Sequence, residues 1–165
     1  MRFRTWSYRF AEQVLNSKLE LKKEIEDVIL SLPTDAESLT RPNLNLLFKQ
    51  KFLEKGWKSQ PALFEGAEEI GAKLDFLKER VGVEVGFSHA SFIGIDLLKF
   101  QTLSYSNVDR IDVGVYILIT KEYQKKLGQQ GKLWEGSLTF DKVIKYLPHF
   151  KSAIQVPIFV IGLEG

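Results

Sequence analysis

The chain has no cysteine, which excludes disulfides, thiolate metal centres and cysteine nucleophiles together. Its two histidines, His89 and His149, are too few for an all-histidine zinc site, so any metal must rest mainly on oxygen ligands. No run approaches the ~18 uncharged apolar residues that a membrane span needs. The opening Met-Arg-Phe-Arg-Thr-Trp lacks the apolar core and small-residue cleavage site of a signal peptide. A cytoplasmic protein with no membrane partner is therefore expected. There is no internal repeat, and no Gly-x-Gly-x-x-Gly or Walker-type loop of the kind that phosphate-bearing cofactors usually require. Strong net charge is missing too: +2 over 165 residues does not by itself indicate a nucleic-acid partner, because that inference needs basic residues gathered on one face.

What the chain does have is 44% apolar residues against 27% charged, enough for one globular domain with a substantial core. We expect a single domain over 1–165, with a mainly helical part over 1–58 and an α/β core with its reading loop over 72–165. Apolar positions from Phe10 to Leu32 follow the 3.6-residue rhythm, and Asn16-Ser17 reads as a break and a fresh N-cap, which predicts two helices. A third helix follows Arg41-Pro42 and closes at Gly56. Leu74–Leu77 and Val81–Phe87 read as strands joined at Lys78-Glu79-Arg80, with a helix from Ala90 to about Tyr105 after them. A short helix near Lys121 to Leu127 precedes a glycine-bounded loop, Gly128 to Gly131, and Thr139–Leu147 makes a last helix. Val113–Ile119 and Ile158–Leu163 are near-continuous apolar runs, as in strands covered by helices on both faces. The expected class is α/β, a central mixed β-sheet flanked by helices.

In Val81-Gly82-Val83-Glu84-Val85-Gly86-Phe87 every bulky apolar side chain falls on an odd position. A period of two therefore puts Glu84 on the opposite face, between Gly82 and Gly86. Glycine weakens a strand and usually marks the close approach of a backbone or a ligand, so the flanking glycines read as cleared space beside a carboxylate. If the two strands pair through a loop of even length, Asp75 lies across from Glu84, with Cβ atoms roughly 4.5–5.5 Å apart. A three-residue loop would put them on opposite faces. Two facing carboxylates repel, and a divalent cation between them reverses the sign of that interaction. The plainer reading gives Glu84 a partner among Lys73, Lys78 and Arg80.

Asp75, eight intervening residues and then Glu84-Val85-Gly86-Phe87 resemble the active-site motif of type II restriction endonucleases of the BglII and BstYI kind, within the PD-(D/E)xK nuclease superfamily. Ala11–Asn16, Lys23-Glu24-Ile25-Glu26, Gly56-Trp57-Lys58, Ile117–Lys121, Trp134-Glu135-Gly136 and Val156-Pro157-Ile158 extend the likeness in order along nearly the whole chain. The resemblance implies a restriction-endonuclease-like core in a homodimer that cuts double-stranded DNA at a short palindromic site with magnesium. A cognate DNA methyltransferase acting on the same site is implied as well. Carried over by position, Asp75 and Glu84 are metal ligands, the backbone carbonyl of Val85 a third, and Gln60 a polar residue that helps order the site.

Gly86 departs from that pattern, because the family carries Gln there, and wider relatives Lys or Glu. Three readings are open: the metal suffices at reduced rate, a residue such as Lys99 on the following helix reaches in, or the protein is a catalytically impaired DNA-binding homodimer. For DNA contact, Lys121, Lys125, Lys126 and Lys132 against a lone Glu122 give local positive charge beside Gln129-Gln130. Lysines neutralise phosphates, and Gln amides pair with the major-groove edge of adenine. By the resemblance that loop matches the family's base-reading loop, and Ser88 and His89 match positions that approach bases. Tyr105, Asn107 and Arg110 are further candidates for facing DNA. A solvated helix face and an ordinary surface loop are the plain alternatives.

Overall fold

The structure, a computed structural model, describes residues 1–35, 38–105 and 108–165; Asn107 lies outside the described residues. The order is β1 (Arg2–Tyr8), α1 (Ala11–Asn16), α2 (Leu19–Leu30), α3 (Arg41–Glu54), β2 (Lys58–Ser59), β3 (Phe76–Lys78), β4 (Val81–Val85), α4 (Ile93–Ser104), β5 (Val113–Ile119), α5 (Lys121–Gln129), α6 (Phe140–Tyr146) and β6 (Ile158–Glu164). Single 3-10 turns lead into α4 and out of α6. The strands form one mixed sheet in the order β1-β6-β5-β4-β3-β2. Its centre, β4-β5-β6, is parallel, and both flanks are antiparallel.

Strand periodicity assigns each side chain to a layer. Val81, Val83, Val113, Val115, Ile117, Phe159 and Ile161 join the core formed with α1, α2, α3 and α5. The alternate residues Tyr116, Leu118, Ile158 and Val160 join a second core with α4 and α6. Every residue of β5 is buried, as its unbroken apolar run predicts. On the first face the aromatic rings of Phe52 and Phe76 stack at 4.5 Å between centroids, and Phe87 meets Trp134 edge-on at 5.2 Å, pairs that each add ~0.5–1.5 kcal/mol beyond burial.

The structure differs from the sequence reading in four elements. β1 is an N-terminal strand that the reading did not anticipate; it pairs with β6 along its whole length. Its exposure does not alternate cleanly because it is an edge strand, and Arg2 and Arg4 guard that edge by charge. The short strand β2 was also not anticipated. Ser17 closes α1 instead of opening α2: its hydroxyl donates to the Val14 carbonyl at 2.6 Å, and Lys18 stands at the N-cap of α2. Finally, α5 continues through Gly128 to Gln129, so only Gln130 and Gly131, the latter at φ +74°, make the turn. Thr40, Thr120 and Thr139 cap α3, α5 and α6 through their hydroxyls.

Candidate active site

β3 and β4 are joined by a two-residue turn, Glu79-Arg80, both residues at positive φ (44° and 68°), the conformation of a hairpin turn matched to strand twist. The loop length is therefore even. Phe76 pairs with Val83 and Leu77 with Gly82, and the next position of that register sets Asp75 opposite Glu84. The two residues are tied together at this point. The Val85 N–H donates to Asp75 Oδ2 at 2.8 Å, and the Asp75 N–H donates to Glu84 Oε2 at 3.2 Å.

Glu84 is 96% hidden from solvent and belongs by periodicity to the α4 side of the sheet. There the Lys99 ammonium donates to its Oε1. Lys99 Nζ also lies 3.3 Å from Asp96 Oδ1, and the Tyr116 hydroxyl donates to Asp96 Oδ2 at 2.6 Å. Asp96 is buried. Burial, and after it the charge of Asp75, pushes the Glu84 carboxyl well above the ordinary range. Burial likewise raises Asp75 against the pull of the Val85 N–H and Lys99. Burial alone would lower Lys99, but its attraction to Glu84 outweighs that and raises it. Burial, reinforced by Asp96, lifts the Tyr116 phenol well above its usual value.

Two of the three partners suggested by the plainer reading are engaged elsewhere, and Glu84 pairs with Lys99 instead. Lys78 pairs with Glu24 at 2.9 Å, and Arg80 with Asp109 and Asp112. The glycines that flank Glu84 do not clear space for a ligand. A Cβ on Gly82 would lie 2.8 Å from Leu74 Cδ2, and one on Gly86 2.5 Å from Tyr116 Cε2, 2.8 Å from Leu118 Cδ2 and 2.9 Å from Tyr116 Oη. Protein side chains fill both positions, which corrects the reading of cleared space.

The open space lies on the Asp75 side. A cavity of about 370 Å³ is lined by Asp75, Val85, Gln60, Ser59, Asn45 and Lys49 among others. Gln60 stands at φ +51° and its N–H donates to the Asp75 carbonyl at 2.8 Å, so its backbone fixes the chain just before β3. The Val85 carbonyl accepts from Phe87 N–H at 3.1 Å and keeps a second lone pair. Asp75, Glu84 and this carbonyl are hard oxygen donors of the kind a divalent cation takes. Among the described residues no three or more His, Cys, Asp or Glu side chains are grouped so that they could hold a metal ion together.

The proposed reading segments are only partly gathered. The Ser88 carbonyl accepts from Leu138 N–H at 2.9 Å, and Ala90 N–H donates to the Gly136 carbonyl at 2.9 Å, so Ser88 and His89 lie against the segment that follows α5. Both are exposed. His89 caps the turn that leads into α4 by accepting from Ser91 N–H. Arg41 holds that segment by bonding the Leu133 carbonyl, and Trp134 Nε1 donates to the Leu39 carbonyl at 2.9 Å. Lys121 faces a depression with Ala90 and Ser137, whereas Lys126 lines another beside Arg2, Glu164 and Gly165. The lysines of α5 therefore do not form one face. Lys125, Gln129 and Gln130 are exposed, and Lys132 is half-buried. Arg110 is turned to the Ala62 carbonyl and Tyr105 to Gln155.

The sequence reading did not find Asp96 or Tyr116. A carboxylate in register with Phe100 and Leu103 on the buried face of α4 is the signal that could have shown it.

The sequence profile of the family described as "Restriction endonuclease BglII/BglIII" matches residues 3–163 of the chain. The type II restriction enzyme BglII of Bacillus subtilis is 25% identical over 170 residues, spanning 94% of this chain and 73% of that protein. The fold is shared with a crystal structure of restriction endonuclease BglII complexed with a DNA 16-mer (TM-score 0.81, 22% identity, 100% of this chain and 79% of that one). It is shared also with free BglII (TM-score 0.73, 24% identity, 100% and 80%).

Proposed function

Because the chain belongs to the BglII/BglIII family of restriction endonucleases, which are DNA-cleaving hydrolases, we propose that it is a type II enzyme cutting double-stranded DNA at a short palindromic site with magnesium held by Asp75, Glu84 and the Val85 carbonyl. The observation that carries this reading is the apposition of Asp75 and Glu84 across one rung of the hairpin, both with raised affinity for protons, beside an open cavity. Glu84 is buried and Asp75 half-buried, and the single ammonium of Lys99 beside Glu84 offsets only one of the two facing charges, which leaves room for a cation to offset the other.

Bound there, a divalent cation supplies Lewis-acid stabilisation of the charge that builds on the phosphate. The chain's own residues do the rest. The Val85 N–H fixes the rotamer of Asp75, the Asp75 N–H fixes that of Glu84, and Gln60 sets the backbone from which Asp75 projects. Lys121, Lys125, Lys126 and Lys132 contribute positive charge for phosphates, while Ser88, His89, Gln129 and Gln130 are exposed polar groups available to base edges.

Self-association is supported by an exposed apolar stripe on the helical segment ending in α4, Phe92, Ile95 and Leu98, spaced three apart on one face and suited to an isologous contact between copies. A palindromic target mirrors such a two-fold. Among the described residues no helix is long and apolar enough to cross a membrane, which is compatible with action on cytoplasmic DNA. A cell carrying a nuclease of this kind must protect its own sites, hence the methyltransferase partner.

Gly86 favours a second reading, a DNA-binding homodimer of the same fold with impaired turnover. Purified protein and its Asp75→Ala variant, incubated with unmethylated plasmid and magnesium, decide between them. Discrete fragments from the wild type that vanish in the variant support the nuclease. A wild type that retains plasmid on a filter but yields no fragments supports the silent binder.

A further inference from the structure

The family motif has a side chain where this chain has Gly86, and the structure shows why adding one there alone is unfavourable. Tyr116 occupies that volume: a Cβ on Gly86 would meet its ring at 2.5 Å and its hydroxyl at 2.9 Å. Tyr116 pairs in register with Glu84 across β4 and β5, so it stands next to that residue on the neighbouring strand. From this position its hydroxyl reaches Asp96 at 2.6 Å. Asp96 in turn stands 3.3 Å from the ammonium of Lys99, one helical turn away on α4, and that ammonium touches Glu84.

Gly86, Tyr116, Asp96 and Lys99 therefore form one continuous set that ends on Glu84. Asp96 and Glu84 are the two buried acidic side chains among the described residues, and both belong to it. A buried carboxylate on the apolar face of a helix is costly unless it is paired and hydrogen-bonded; Asp96 finds both in the Tyr116 hydroxyl and the Lys99 ammonium, and through the latter it sets the direction of Lys99.

We infer that Lys99 is a catalytic cation that takes the role of the side chain absent at position 86, delivered to the scissile phosphate from helix α4 and aimed by Asp96 and Tyr116 as positioning residues. The inference rests on the nuclease reading above and deepens it. In the step concerned, a water oxygen forms a bond to phosphorus as one P–O bond to the sugar breaks. A proton of that water passes to solvent, and the released sugar oxygen takes one up. Lys99 transfers nothing. As a fixed positive charge, 18% of its side chain exposed, it stabilises the negative charge gathering on the phosphate oxygens, as a preorganised donor does.

Lys99→Met keeps the length of the side chain and removes the charge. Lys99→Gln serves as a second neutral variant should the first fail to fold by thermal melting, and Lys99→Arg restores a cation. Three quantities are measured on each: single-turnover cleavage of unmethylated plasmid with magnesium, calorimetric titration of magnesium into DNA-free protein, and filter retention of DNA in calcium.

Removing the charge is expected to slow cleavage by about 10²–10³, as loss of one electrostatic stabiliser does. Magnesium binding should be undiminished, because a competitor for Glu84 is gone. Lys99→Arg should recover at least about tenfold of the lost rate. Asp96→Asn should slow cleavage with DNA retention unchanged. Neutral variants that cut within about threefold of wild type, or that lose magnesium binding together with cleavage, overturn the inference, the latter because Lys99 would then be a scaffold for the metal ligand. A wild type that cuts no DNA at all refutes the nuclease reading itself.

Discussion

Gly86→Ala is a small change whose sign the structure decides. Gly86 is absent from the positive-φ residues, so alanine fits the backbone there, and replacing glycine at a compatible site ordinarily stabilises by ~0.4–1 kcal/mol through the unfolded chain. Against this, the new methyl would lie 2.5 Å from Tyr116 Cε2 and 2.8 Å from Leu118 Cδ2, and both neighbours are fully buried. Overpacking of that kind costs about 1–3 kcal/mol. The net expectation is a loss of about 1–2 kcal/mol, a fall in melting temperature of about 2–8 °C for a chain of this size. Gly128→Ala is the control, since it lies within α5 with nothing within 4 Å of its Cβ, and should stabilise by ~0.5–1 kcal/mol. Tyr116→Ala alone should cost ~3–5 kcal/mol, as aromatic truncations in cores do. The Gly86→Ala/Tyr116→Ala protein should be more stable than the sum of the two by ~0.5–3 kcal/mol, the range for side chains in contact. Urea unfolding of all four corners of the cycle measures this. A neutral or stabilising Gly86→Ala, or strict additivity, refutes the claim that Tyr116 holds the place of a side chain at residue 86.

Glu24 accepts from Trp57 Nε1 at 2.8 Å and from Lys78 at 2.9 Å, so Glu24→Ala strands the indole N–H and leaves Lys78 with only the Lys55 carbonyl; it should lower stability by about 1–3 kcal/mol in chemical denaturation. The Asp112 carboxyl is nudged up by slight burial but pulled lower overall by Arg80 and Lys18. A depressed folded value gives stability that is present above the unfolded value of ~3.9 and is lost as pH falls through the folded one. Urea melts of Asp112→Asn should therefore trail wild type at pH 7 by less than about 1 kcal/mol, this being a half-exposed pair, and the gap should close towards pH 3; a gap that widens in acid contradicts the assignment. Under the proposed self-association, Ile95→Glu should reduce the mass in sedimentation equilibrium to that of one chain without lowering its melting temperature, and an unchanged mass would remove the stripe on α4 as the contact between copies.

Much of the architecture was legible because burial leaves a period. The unbroken apolar runs of β5 and β6 and the alternation in β4 gave the sheet's centre and put Glu84 opposite the valines. The two-residue turn at Glu79-Arg80 was not decidable from composition, since neither residue is the Gly or Asn that such turns favour. Yet that turn sets Asp75 against Glu84. β1 was hidden by its arginines, which serve an edge and blur the alternation. Among the residues around Glu84, Lys99 is already named by the sequence as a helix residue able to reach in, whereas its link to Tyr116 was hidden for another reason. Lys99 lies 15 residues away on a helix and Tyr116 lies on a strand beyond it, so their meeting is a product of parallel β4-β5 pairing across α4. Local spacing carries no trace of that. It did carry Asp96, an acid in an apolar register, which pattern reading passes over when it counts only apolar positions.

Gly86 and Tyr116 share a single volume, and this limits how the sequence can drift. A lineage bearing this pair loses stability on gaining a side chain at residue 86 unless the aromatic at 116 shrinks, and shrinking 116 alone opens a hole in the second core. Either step taken first is disfavoured, so the two positions should change together or not at all. In an alignment of relatives, glycine at 86 should travel with a large ring at 116 and a lysine at 99, and a long polar residue at 86 with a smaller residue at 116. The three columns would sort the family into two lineages, each with its own way of bringing charge to the cut.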